Sequence, residues 1–199
     1  MLDITEKNFQ KTLNFLKIKK GDTIFLMFEL WRLGKLKGVK NSNQYFNFFL
    51  KQIINRIGKK GTLAVNTYTF DNSKYNQNFV YEKKECSSGK ISEIFLNFKK
   101  VSRSIHPLFS VAAIGKNKNF ICKYNSSSNY GSNSPFDRLL KKNCKVLALG
   151  INLCQNPFLH CAELNASVPY MYNKIFGQKV LFKKKIIKKD FISFVRYKN

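Results

Sequence analysis

Three short apolar runs, at residues 23–27, 62–67 and 145–150, alternate along the chain with longer segments of helical period. In residues 43–57, Tyr45, Phe46, Phe49, Leu50, Ile53, Ile54 and Ile57 recur at i, i+3 and i+4, the spacing that lays one helix face on a core. Gly58 and Gly61 end that helix, and the second apolar run follows at once. A first helix is expected from Asp3 or Thr5 to about Ile18, with Phe9, Leu13 and Leu16 on one face. A third is expected over 89–98, capped by Ser87 or Ser88, with Ile91, Ile94, Phe95 and Phe98 inward. Ser134 and Pro135 open a short helix through Leu140, and 157–163 reads as helix too. Residues 109–114 add a strand, and 145–150 reads as a central one. Strands alternating with helices give an α/β class, a three-layer α/β/α sandwich with a central sheet. Two apolar runs within 177–199 flank Lys183, Lys184 and Lys185 and read as a hairpin that makes this sheet mixed. No repeat or low-complexity linker divides the chain, so 1–199 reads as a single domain.

Hydrophobic residues make up 44% and aromatic residues 15%, which supports a real core and excludes a disordered chain. The longest weakly polar stretch, 146–162, is broken by Asn152, Gln155, Asn156, Pro157 and His160, so no membrane span is expected. The first residues carry neither a basic nor an apolar signal region, and the expected compartment is the cytoplasm. The net charge is +25, from 31 Lys and only 5 Arg. Surfaces that read bases favour the planar fork of Arg, and 22 Asn beside 19 Phe mark the bias of AT-rich coding. Nucleic acid is therefore not the expected partner. The eight basic residues between Lys179 and Lys198 read equally as the solvated face of the hairpin. A basic surface still attracts an anionic ligand such as coenzyme A or a nucleotide sugar. Cys86, Cys122, Cys144, Cys154 and Cys161 form no CxxC pair and are expected as reduced thiols. Cys154, His160 and Cys161 lack a fourth ligand at a recognisable spacing, so no metal is expected.

Only two histidines are present. His106 precedes Pro107, which holds it extended, and it reads as a loop histidine. His160 and Glu163 stand three apart on an expected helix, so both project from one face. A carboxylate that holds an imidazole fixes its tautomer and raises its basicity, as a general base requires. An ordinary surface ion pair has the same spacing, and both readings remain open here. The stretch from Asn133 through Asp137 to Leu139 presents amides at a helix start to an anion, or simply caps the helix. No dinucleotide fingerprint, phosphate loop, nucleophile elbow or zinc protease motif occurs.

Several segments taken in order carry more. They are Gly21-Asp22-Thr23, Leu33-Gly34, Gly61-Thr62-Leu63, Thr67-Tyr68-Thr69-Phe70-Asp71 and Gly89-Lys90-Ile91-Ser92-Glu93-Ile94-Phe95. Arg103-Ser104-Ile105-His106-Pro107-Leu108-Phe109-Ser110 and Tyr130-Gly131-Ser132-Asn133-Ser134-Pro135-Phe136-Asp137-Arg138-Leu139 follow. Val146-Leu147-Ala148-Leu149-Gly150, Phe158-Leu159-His160-Cys161-Ala162-Glu163 and Val168-Pro169-Tyr170-Met171-Tyr172 close the series. This succession, over 21–196, resembles the aminoglycoside 3-N-acetyltransferase family. The Thr67 to Asp71 segment and Val168-Pro169-Tyr170 look most like its members that accompany surface-polysaccharide synthesis.

The resemblance implies transfer of acetyl from acetyl-coenzyme A to an amine of an amino sugar or aminoglycoside. It makes His160 the base and Glu163 its orienting carboxylate. It places Leu33, Gly34, Ser104 and Ser110 on the coenzyme side, and Asp71 and Asn133 on the substrate side. There are two departures. Met27-Phe28-Glu29-Leu30 stands where the family usually has His-Ser-Ser-Leu, and relatives usually continue past Asn199. The family's C-terminal part is therefore expected to be lacking. An inactive relic or binding protein of the same fold is the alternative those departures support.

Overall fold

The structure is a computed structural model that describes residues 3–29, 32–70, 78–84, 86–123 and 126–197. In chain order its elements begin with α1 (Glu6–Phe15), β1 (Thr23–Phe28), α2 (Ser42–Ile57), β2 (Thr62–Asn66) and β3 (Phe79–Val80). There follow α3 (Lys90–Leu96), β4 (Ser102–Arg103), β5 (Val111–Gly115), α4 (Lys118–Ile121), α5 (Pro135–Leu140) and β6 (Lys145–Leu149). The last are α6 (Phe158–Asn165), β7 (Met171–Phe182) and β8 (Lys185–Arg196).

The central sheet has five strands in the order β4-β5-β2-β1-β6. β1 runs parallel to β2 and β6, while β5 is antiparallel to β2 and β4. Side chains alternate across it, so each apolar run serves two cores. On one face Ile24, Leu26, Leu63, Val65 and Ala112 meet Phe9 and Leu13 of α1, Phe49 and Leu50 of α2, and Phe95 of α3. On the other, Phe25, Met27, Ala64, Val111 and Ala113 meet Ile121, Phe136, Leu139 and Cys161. The three-layer α/β/α sandwich follows. Phe25 and Phe49 are almost fully buried, and each such burial stabilises by about 2 kcal/mol.

Boundaries follow local chemistry. The Thr5 hydroxyl accepts from Asn8 N–H (3.2 Å) at the start of α1, and Asn41 Oδ1 accepts from Gln44 N–H (3.0 Å) at α2. α1 ends earlier than the sequence pattern implied, because Lys17 turns left-handed (φ 54°). That turn leaves Leu16 exposed and buries Ile18 in its place. The expected serine cap of α3 is corrected: Gly89 holds the cap position without a side-chain bond. The Ser87 and Ser88 hydroxyls instead accept from Phe70 N–H (3.0 Å) and Tyr68 N–H (2.7 Å), tethering the segment after β2.

Two strand expectations are also corrected. β6 lies at an edge of the sheet, with Lys145, Val146 and Ala148 only partly buried. An apolar run of five residues reads alike at an edge and at a centre. The terminal hairpin starts at Met171 and joins β3 in a separate three-stranded sheet, order β3-β7-β8. Its turn is Lys183 (φ 48°) and Lys184 (φ 63°), both left-handed, as a two-residue hairpin requires. The central sheet is mixed because of β5, not because of this hairpin. A third core of Phe79, Ile105, Val180 and Phe191 joins the hairpin to the domain.

His106 is part of that join and is almost fully buried. Its Nδ1 accepts from the N–H groups of Leu108 (3.3 Å) and Phe109 (3.1 Å). That leaves Nε2–H to donate to the Ile192 carbonyl (3.2 Å) on β8. Burial pulls the His106 imidazole down to about 4, so it stays neutral as a fixed clamp.

Candidate active site

α6 follows the C-terminal end of β6, the end at which open α/β sheets form their crevices. Gly150 begins the connection with φ 68°, and a Cβ there would lie 2.4 Å from the Glu29 carbonyl oxygen. Only glycine lets the two segments pass so closely. Phe158 and Cys161 turn inward, with the Phe158 ring edge-on to Phe25 (5.4 Å) and Phe136 (5.5 Å). His160 and Glu163 are thereby left at the rim, with side chains 33% and 16% exposed.

His160 Nδ1 lies 2.6 Å from Glu163 Oε2. The carboxylate accepts from Nδ1–H, so Nε2 is the nitrogen that carries the free lone pair. The other oxygen, Oε1, accepts from the Tyr170 hydroxyl at 3.2 Å and from Arg196 Nη2 at 3.4 Å. Partial burial pushes the Glu163 carboxyl up, but hydrogen bonds from His160 and Tyr170 and the nearby cations outweigh it. The net effect holds Glu163 below the usual carboxylate range, as a permanent anion beside the ring. The Tyr130 ring lies 5.0 Å from the imidazole, centre to centre, and limits its rotation. Burial pushes the Tyr130 and Tyr68 phenols up, so both stay protonated.

The other sequence candidates scatter around this centre. Leu33 and Gly34 follow β1, Leu33 against the α2-side core and the Gly34 carbonyl accepting from the Tyr45 hydroxyl (2.7 Å). The Phe28 ring turns onto Phe46 (5.5 Å) and Phe49 (5.4 Å), on the face of the sheet opposite Phe25 and α6. Glu29 pairs with Arg32 (3.4 Å). Ser104 and Ser110 are both buried. Ser104 Oγ accepts from Val111 N–H (2.9 Å), and Ser110 Oγ accepts from Arg103 Nε (3.0 Å).

Arg103 is itself a buried cation held by neutral acceptors. Nε also donates to Thr67 Oγ1 (3.2 Å), Nη1 to the Lys83 carbonyl (2.7 Å) and Nη2 to the Thr67 carbonyl (2.7 Å). Burial lowers it to about 10, still charged at neutral pH. Asn133 is exposed and left-handed (φ 61°), and its N–H donates to Asp137 Oδ2 (2.8 Å). With Ser134 Oγ accepting from Asp137 N–H (3.1 Å), these amides cap α5. Asp71 lies outside the described residues. All five cysteines are free thiols, and no cluster of three metal-ligating side chains occurs among the described residues. No helix among the described residues is long and apolar enough to cross a membrane.

Sequence reasoning missed Tyr130 and Arg196 as neighbours of the pair. Tyr170 was visible only as part of Val168-Pro169-Tyr170, with no role attached to it. No spacing rule links residues 33 apart such as Glu163 and Arg196.

A helix-borne imidazole held by a carboxylate thus stands at the strand ends of an α/β/α sheet. The family description "aminoglycoside 3-N-acetyltransferase" matches residues 32–191. The chain belongs to that family, and this makes it an acetyl-coenzyme-A-dependent N-acetyltransferase. It is 24% identical over 211 residues to the SPbeta prophage-derived aminoglycoside N(3')-acetyltransferase-like protein YokD of Bacillus subtilis, covering 94% of this chain and 74% of that protein. Among solved structures, AAC-VIa bound to sisomicin superposes with a TM-score of 0.82 at 19% identity, over 98% of this chain and 77% of the other. AAC-IIIb in binary complex with CoASH gives a TM-score of 0.81 at 19% identity, with the same two coverages of 98% and 77%. At that identity these structures establish the shared fold.

Proposed function

We propose that the chain moves acetyl from acetyl-coenzyme A directly to an amine of an amino sugar or aminoglycoside, with His160 as general base. The single observation that carries this is the 2.6 Å bond from His160 Nδ1 to Glu163 Oε2, which leaves Nε2 as the basic nitrogen. The amine nitrogen attacks the thioester carbonyl carbon while Nε2 takes one of its protons. The tetrahedral intermediate collapses, the C–S bond breaks, and the imidazolium returns the proton to the departing thiolate. Glu163 stabilises the imidazolium while it lasts. No acyl-enzyme is required, in keeping with the burial of Cys161 beside the histidine.

Leu33 and Gly34 lie on the segment that follows β1, at the crevice end of the sheet, and we assign the coenzyme to that side. Phe28 is no obstacle to this, because its ring is spent on α2. Ser104 and Ser110 act indirectly, by holding Arg103 and the strand ends in place. The polycationic surface favours the phosphates of coenzyme A.

Calorimetric titration with acetyl-coenzyme A tests the first half of this reading, and coenzyme A release in the presence of glucosamine or sisomicin tests the second. Saturable binding near one per chain and amine-dependent thiol release are expected. A folded protein that binds no acetyl-coenzyme A would instead support the inactive relic.

A further inference from the structure

The hairpin of β7 and β8 holds a charged groove that the transfer reaction does not use. Between Met171 and Arg196 the chain carries seven lysines and a single carboxylate, Asp190. A coding bias accounts for how many lysines there are, but not for where they stand. Lys179 faces Lys188 directly across the antiparallel ladder, and Gly177 faces Asp190 two residues further in. Residues two apart share a face of a strand, so both pairs stand on one face of the hairpin. Asn78 comes beside Lys179, because Phe79 of β3 pairs with Val180. A groove of about 760 Å³ is lined by these five residues together with Gln178 and Lys189.

Like charges directly opposite in a sheet destabilise it, so neutral residues would serve the hairpin better than Lys179 and Lys188. An anion seated between the two ammonium groups removes that repulsion and gains a charge-assisted hydrogen bond from each. Among the described residues no ion pair neutralises either lysine. The Asp190 carboxylate leans over Gly177 instead, Oδ1 lying 3.5 Å from where a Cβ would stand. That carboxylate narrows the choice of ligand. It repels a bare polyanion, but as an acceptor it takes hydrogen bonds from hydroxyl groups, and the Asn78 amide both donates and accepts. The volume also suits a small molecule, whose sites run to about 300–1,000 Å³. Met171 faces Arg196, which reaches Glu163 at 3.4 Å. Gly177 stands about 20 Å further along β7, so the groove is separate from the His160–Glu163 pair.

We propose that this groove binds a phosphate ester that carries free hydroxyls, a sugar phosphate or a nucleotide. Lys179 and Lys188 hold the phosphate, and Asp190 and Asn78 hold the hydroxyls. The assignment depends neither on His160 nor on acetyl transfer.

Calorimetric titration of the full chain with glucose 6-phosphate, ADP and inorganic phosphate, at about 0.15 M salt, tests it. One of the two esters is expected to bind at about one per chain and more tightly than inorganic phosphate, and the one that binds names the source. The double variant Lys179→Ala/Lys188→Ala is expected to weaken that binding by about tenfold or more, with Tm at or above wild type because the facing charges are gone. Lys174→Ala/Lys185→Ala removes the same charge elsewhere on the hairpin and is expected to stay within about twofold of wild type. Asp190→Asn is expected to reduce the preference for the ester over inorganic phosphate by about tenfold. No binding of either ester overturns the assignment. So do equal losses in the two double variants, which mark a diffuse polycation of the kind that takes nucleic acid. Loss of ester binding on saturation with coenzyme A overturns it too, since the lysines would then serve the coenzyme.

Discussion

Glu163 uses both of its oxygens, one for His160 Nδ1 at 2.6 Å and one for Tyr170 and Arg196 at the base of the hairpin. The orientation of the His160 ring is thus tied to the seating of β7 and β8. Replacing Glu163 by Gln keeps the size but removes the charge that, in the proposed mechanism, stabilises the imidazolium. Glu163→Gln is expected to lower kcat by roughly tenfold to a thousandfold while leaving the KM for acetyl-coenzyme A near wild type. Steady-state coenzyme A release checks it, and an unchanged kcat would reduce the pair to a surface contact.

His106 gives a prediction about pH and stability. Its folded value is pulled from 6.5 down to about 4 by burial, whereas the unfolded chain takes a proton near the ordinary value. Above the ordinary value both states are neutral and the His106 clamp is at full strength. As pH falls from about 6.5 to about 4, protons bind the unfolded chain first and stability drains away, by about 3 kcal/mol in all. Urea unfolding of wild type against His106→Gln should show this acid-dependent difference. Equal pH slopes for the two proteins would contradict it.

Arg103 spends its planar donors on four oxygens, of Thr67, Ser110 and Lys83. Lysine cannot reproduce that fork. Arg103→Lys should therefore destabilise the chain by roughly 2–3 kcal/mol and lower Tm. Calorimetric melting checks the size of the effect, and a shift of less than about a degree would mean that the network contributes little.

Gly150 has φ 68° and no room for a Cβ beside the Glu29 carbonyl. Gly150→Ala should cost about 1–3 kcal/mol and displace the segment leading to Leu33 and Gly34. If that segment lies on the coenzyme side, the KM for acetyl-coenzyme A rises more than the KM for the amine.

Much of the sandwich was legible because local signals agreed with each other. The apolar repeat of α2, the Ser134–Pro135 start of α5 and the buried runs of β1 and β2 each point to one element. What failed to show was anything decided by partners distant in sequence. β6 could not be told for an edge strand, and Ser87 and Ser88 were spent on Phe70 and Tyr68 rather than on a helix start. At the site, spacing alone paired His160 with Glu163. The contacts of Tyr130, Tyr170 and Arg196 arise from folding together segments far apart in the chain, which no local pattern encodes.

The central claim is that Nε2 of His160 removes the proton from the attacking amine. The most direct measurement is coenzyme A release by His160→Ala, with acetyl-coenzyme A binding measured on the same sample. The account predicts unchanged binding and a turnover reduced by about a hundredfold to ten-thousandfold. Turnover within about twofold of wild type in a variant that binds acetyl-coenzyme A normally would contradict it.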